Sequence, residues 1–157
     1  MYERVLIPLD GSEPAEAILP CAERIAGPAD AEICLLRVVE PVTAIPGLGT
    51  GEVAGPDALA ARRLEATRYL AEMVCRLEGR GLRVRTLVTL GVPEREILEV
   101  AKTEKADLIA MSTHGRRGLR RAVFGSVAEE VLRSAAVPVL LMRMTAQTPA
   151  PMEATRR

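Results

Sequence analysis

The sequence predicts an α/β protein: one doubly wound domain with a five-stranded parallel sheet of order 3-2-1-4-5 and four connecting helices. Three observations lead there. Short runs of β-branched residues and Leu alternate with segments of helical apolar spacing along most of the chain. Most of these runs are apolar on both alternating faces, as strands covered by helices on two sides must be. The turns richest in glycine and small polar residues follow the first and fourth runs. In such sheets ligands bind where the strand order reverses, and an order that makes strands one and four neighbours brings both turns to one crevice.

The elements follow in sequence. Arg4–Leu9 is the first strand, stopped by the turn Asp10-Gly11-Ser12. Glu13-Pro14 suits a first helical turn, and Ala15, Ile18, Ala22 and Ile25 continue at helical spacing to Gly27-Pro28. Pro20 lies inside this helix and should kink it or delay its regular part. Ile33–Val39 is the second strand. Residues 40–56 hold three prolines and four glycines without periodicity and read as a long mobile loop.

Asp57 is placed to cap a long second helix with Ala60, Leu64, Thr67, Ala71 and Val74 on one face, ended at Gly79 and Gly81. Leu82–Leu90 alternates in part, as an edge strand with a wetter face would. Gly91-Val92-Pro93 opens the third helix, with Ile97, Leu98 and Ala101 inward. Asp107–Met111 is the fourth strand, Ser126–Ala135 the fourth helix and Pro138–Met142 the last strand. Residues 1–144 thus make the domain, and the Pro-, Thr- and Ala-rich segment 145–157 reads as a disordered tail.

Composition narrows the function. Lys and Arg number 21, matched by 21 Asp and Glu, so the net basic footprint of a general nucleic-acid binder is missing and no nucleic-acid partner is expected. Neither a signal peptide nor a run of membrane-spanning length is present, so the expectation is a cytoplasmic protein without membrane attachment. Cys21, Cys34 and Cys75 lack metal-site spacing and read as small buried hydrophobes. With one histidine, no zinc ligand set can be assembled and no metal residue is assigned.

The stretch STHGRRGLRRAVFGS, Ser112 to Ser126, carries the chemistry. Gly115 follows the fourth strand, and nine residues later Gly125-Ser126 opens a helix. Glycines let backbone N–H groups approach an anion, and a helix amino end adds unpaired donors and a positive dipole. Such a pair of corners suits a di- or triphosphate, or equally a tight turn at Gly115 and an N-cap at Ser126. The loop has no lysine and is not the GxxxxGK[ST] phosphate loop. The Gly47-x-Gly49-x-Gly51 pattern sits in the long loop and is no dinucleotide fingerprint. Asp10, at a strand end, offers acceptors to a ribose or base amine, or caps its own helix. Arg116, Arg117, Arg120 and Arg121 read as a solvated loop face, and His114 as a turn or packing residue without a catalytic companion.

VLIPLDGSEPA, LLRVVE and MSTHGRRGLRRAVFGSVAEEVLRSAAVPVLLMR, in that order, closely resemble the universal stress protein family over about residues 3–143. The pattern of its nucleotide-binding branch, G-x2-G-x9-G-[ST], is met at Gly115, Gly125 and Ser126. Its first glycine is Ser112 here, whose hydroxyl could crowd a ligand or donate to it. The resemblance implies ATP, with ADP and AMP as competitors and Mg²⁺ or Mn²⁺ left open. Its adenosine would lie against Pro8, Leu9, Asp10 and Val38. The ribose and phosphates would pass Met111, Ser112 and Gly115 to Gly125, Ser126 and Val127. The implied role is a stress-response regulator whose nucleotide changes a loop and the surface offered to a protein partner. The alternatives are a nucleotide-free interaction module and a slow ATP hydrolase; no catalytic residue is assigned. Strand five, within 138–143, is an apolar edge, and the resemblance implies a homodimer through it.

Overall fold

Most strands of this chain must bury both of their faces, and the fold follows from that requirement. The computed structural model describes residues 2–27, 30–41, 56–114 and 125–144. Along the chain run β1 (Arg4–Pro8), α1 (Glu13–Glu16), α2 (Leu19–Ala26), β2 (Glu32–Val39) and α3 (Pro56–Glu78). They are followed by β3 (Arg83–Leu90), α4 (Pro93–Thr103), β4 (Leu108–His114), α5 (Ser126–Ser134) and β5 (Val139–Met144). The strands form one parallel sheet of order β3-β2-β1-β4-β5, as predicted.

Alternation along the strands divides the core. Val5, Ile7, Ile33 and Leu35 pack with Ile18, Leu19, Leu70, Met73 and Leu77 of α2 and α3. Leu6, Cys34, Leu36, Ile109 and Met111 pack on the other face with Ile97, Val100, Ala128 and Val131 of α4 and α5. Side chains such as Leu6, Ile7, Ile33 and Leu36 lose all solvent contact, each contributing about 1.5–3 kcal/mol of apolar burial.

As Pro20 implies, the first predicted helix is interrupted and forms two pieces, because the Pro20 ring would clash with the carbonyl of Glu16 in a continuous helix. The chain breaks at Ala17-Ile18 and restarts with Pro20 in the first turn of α2, where a missing N–H costs nothing. Other details are corrected. The buried face of α3 is Ala66, Leu70, Met73 and Leu77, while Ala60, Leu64, Thr67 and Ala71 are exposed and Val74 is half-buried. Asp57 does not cap this helix; Pro56 opens it and Asp57 lies in its first turn. Of the cysteines only Cys34 is buried, Cys21 being partly so and Cys75 exposed. Burial pushes the Cys34 thiol pKa up, with the Arg85 guanidinium pulling the other way. β4 runs on to His114, because its backbone pairs with β5 as far as Met144. β3 is an edge strand, paired with β2 alone and exposed at Arg83, Thr86 and Leu90. The expected mobile loop falls largely within 42–55 and the expected tail at 145–157, both outside the described residues.

Candidate functional site

The carboxyl ends of β1 and β4, neighbours in the sheet, mark where the strand order reverses. β1 delivers Pro8 there, and Leu9 N–H donates to the Leu36 carbonyl at 2.8 Å, carrying the extended chain one residue further. Gly11 then takes φ +80°, a left-handed conformation that suits glycine. Asp10 does not cap α1. Its Oδ1 accepts from Ser12 N at 2.9 Å and Ser12 Oγ at 2.5 Å, an Asx turn, and Ser12 Oγ in turn accepts from Ala15 N at 3.3 Å as the true N-cap. The turn is thus built by two polar side chains acting in series.

At the end of β4, Met111 is nearly buried and Ser112 half-buried. Ser112 Oγ donates to the Pro14 carbonyl at 2.5 Å. The hydroxyl that stands for the pattern's first glycine therefore ties β4 to α1 instead of projecting into the crevice as a spare donor. α5 begins at Ser126 with Gly125 as its N-cap, and no side chain caps it. The N-cap role open to Ser126 in the sequence is excluded: Ser126 is the first helical residue and exposed. Among the described residues no side chain accepts from the first N–H groups of α5, where the positive end of the helix dipole also lies. A Cβ placed on Gly125 would meet nothing within 4 Å, so this corner is open.

A cleft of about 170 Å³ lies between these ends. Of the residues singled out in the sequence, Pro8, Leu9, Asp10, Val38, Met111, Ser112, Gly125 and Val127 all line it. Ser126 does not; Gly115 and the loop arginines Arg116, Arg117, Arg120 and Arg121 lie outside the described residues. The cleft also takes in Arg37, Glu40, Ile97 and Thr113, which sequence reasoning missed. Thr113 had a usable signal, since strand period two places it on the face of Met111. So did Arg37, the one charge inside the apolar run of β2 after Glu32. Its Nη1 donates to the Leu9 carbonyl at 3.3 Å, and its Nη2 lies 3.6 Å from where a Gly11 Cβ would stand. Together these groups give an apolar wall, a carboxylate-held turn and an uncapped helix end.

Among the described residues no group of three or more His, Cys, Asp or Glu is placed to hold a metal ion. None of the described helices is long and apolar enough to cross a membrane.

A model of the universal stress protein family matches residues 1–143. The chain is 37% identical over 145 residues to universal stress protein MJ0531 of Methanocaldococcus jannaschii, an alignment covering 91% of this chain and 83% of that protein. It is 28% identical over 155 residues to universal stress protein MJ0577 of the same organism, covering 91% and 96%. The solved structure of MJ0577 superposes with a TM-score of 0.77, covering 94% of this chain and 99% of that one. A universal stress protein of Archaeoglobus fulgidus, solved in complex with dAMP, superposes with a TM-score of 0.65 at 20% identity, covering 89% and 97%. At that identity the likeness speaks for the fold.

Proposed function

This chain belongs to the universal stress protein family, and we propose that it is a cytoplasmic, adenine-nucleotide-binding regulatory protein of the stress response. One observation carries the reading. Pro8, Leu9 and Asp10 after β1, Val38 of β2, Met111 and Ser112 of β4, and Gly125 and Val127 at α5 meet in one cleft at the sheet's switch point. The uncapped end of α5 opens beside them. Each group has a matching partner in ATP. Pro8, Leu9 and Val38 supply an apolar wall for adenine, the Asp10 turn stands at the ribose, and the α5 N–H groups with Gly125 receive phosphate. Gly115 and Ser126 are assigned to the phosphates by the family pattern alone.

ADP and AMP fit the same base and ribose contacts and compete. A Mg²⁺ or Mn²⁺ accompanying the phosphates would take its ligands chiefly from phosphate and water, in keeping with the sparse protein cages of Mg²⁺. Occupancy acts by changing the loop at 116–124 and hence the surface met by a protein partner. The protein works as a homodimer joined along β5. Equilibrium binding and native mass spectrometry of the purified chain test the core of this reading. ATP, ADP or AMP should bind at or below millimolar concentration, and failure of all three sinks it.

A further inference from the structure

The cleft assigned above has a neighbour on the other face of the sheet. There the ends of β1 and β2 and the amino half of α3 enclose a second cavity of about 510 Å³. Alternation along β2 explains the placement. Val38 packs toward the α4–α5 core, so Arg37 points to the α3 side. Asp10, Arg37, Val38 and Glu40 line both cavities, which therefore lie side by side at the ends of β1 and β2. Arg62 and the Tyr69 ring wall the second cavity alone.

Six of the thirteen described arginines pair with carboxylates, among them Arg4 with Glu32, Arg76 with Glu16 and Arg80 with Glu23. Arg37 and Arg62 instead donate to backbone carbonyls, those of Leu9 at 3.3 Å and Glu40 at 3.5 Å. A guanidinium has five N–H donors in a planar fork matched to phosphate. One carbonyl each leaves most of that capacity unused by the described residues, and both side chains line the cavity.

We infer that the second cavity receives a phosphate carried on the ribose 2′ or 3′ carbon of the nucleotide held in the first. The inference rests on the nucleotide reading above. With the ribose at Asp10, one of the four residues common to both cavities, 5′-phosphates directed to α5 would leave the 2′,3′ edge toward Arg37. The carboxylates of Asp10, Glu40 and Glu65 also line this cavity. They oppose any anion, so only a phosphate tethered to a nucleotide already held reaches the effective concentration needed to occupy the two arginines. The site therefore selects a phosphate delivered by a sugar over a free phosphate ion. The preferred ligand is an adenine nucleotide phosphorylated on both sides of its ribose.

Titration calorimetry of the full chain with AMP, adenosine 3′,5′-bisphosphate, adenosine 2′,5′-bisphosphate and pyrophosphate tests this. One bisphosphate should bind about tenfold more tightly than AMP, as one charge-assisted contact would give. Pyrophosphate alone should not bind. Arg62→Gln should shrink the gain while leaving AMP affinity unchanged, and Arg37→Gln should remove it. Bisphosphates no tighter than AMP, or pyrophosphate as tight as either, would overturn the inference while AMP still binds. If AMP and ATP both fail, the nucleotide reading falls and this one with it.

Discussion

The two ends of the sheet are made from the same strands and handle their polar groups in opposite ways. At the amino end, charges from successive elements are tied together. Arg4 Nε of β1 meets Glu32 of β2 at 2.7 Å, and Arg85 of β3 lies 3.6 Å from the same carboxylate while also bonding Glu104 beyond α4. Arg4 reaches the Glu104 carbonyl, and Asp107, just before β4, accepts from the backbone N–H groups of Glu3 and Arg4 at 2.6 and 3.0 Å. At the carboxyl end, α5 has no side-chain cap and Arg37 and Arg62 lean on backbone carbonyls. Donors satisfied within the protein hold strands in register; donors left for something else are what a ligand can use. Stability and binding should therefore separate by end.

The largest expected effect tests the binding end. Gly125→Asp places a carboxylate at the phosphate corner, where lost N–H contacts and repulsion should weaken ATP binding by about a hundredfold or more. The same change supplies α5 with the cap it lacks, at a residue with φ −60° and open space for a Cβ. Stability should hold or rise by a few tenths of a kcal/mol. Calorimetric binding and thermal unfolding of the one variant read both outcomes. Normal ATP binding would show that the phosphate corner is elsewhere.

A change at the sheet edge should affect assembly and neither end. Ile109 N–H donates to the Pro138 carbonyl at 3.0 Å, so in this parallel pair Pro138, Leu140 and Met142 turn their backbone toward β4. Val139, Leu141 and Arg143 turn theirs outward to the open edge. Leu141→Pro removes an outward donor and spares the β4 ladder, which Leu140→Pro would break. The variant should sediment as a monomer at micromolar concentration where the parent is a dimer. A dimer in both would place the interface off β5.

Glu32→Ala tests the amino end. It removes the carboxylate shared by Arg4 and Arg85, and Arg85 Nε is buried without a hydrogen-bond acceptor of its own. These side chains remain about a third exposed, so solvent screening holds the expected loss to about 1–2 kcal/mol. Denaturant unfolding measures it, and ATP affinity should not move. A shift in affinity would mean that the ends are coupled through the strands.

Much of this was legible in the sequence, and the failures have physical causes. Alternating periods and the two special turns suffice for strand order, because few topologies accommodate them. The residues that line the cleft were named through the family resemblance of three separated motifs, and Ser126, named with them, does not line it. The buried face of α3 was misread because the helix carries two apolar stripes, and spacing alone cannot rank them. The larger side chains of Leu70, Met73 and Leu77 mark the true one, while Ala60 and Ala71 belong to an exposed stripe of smaller residues around Leu64. The end of β4 was cut short because Ser112, Thr113 and His114 are polar, and only pairing with β5 shows that they continue the strand. The bond from Ser112 to Pro14 spans 98 residues and left no local trace.

That bond sets the smallest effect and the closest contact between the two kinds of region, since it is a structural tie made by a residue of the cleft. Ser112→Ala deletes a half-buried hydroxyl that donates to the Pro14 carbonyl at 2.5 Å and leaves the acceptor to find water. The expected loss of stability is about 1 kcal/mol. Because the hydroxyl proton is committed to α1, ATP affinity should stay within about twofold, a change below 0.5 kcal/mol. If the hydroxyl instead turns to the ligand on binding, the order reverses. Stability of the free protein would then barely change, and affinity would fall about tenfold or more, the worth of a hydrogen bond to a charged group. Unfolding of the free protein and calorimetry with ATP, run on this one variant, decide whether Ser112 belongs to the scaffold or to the site.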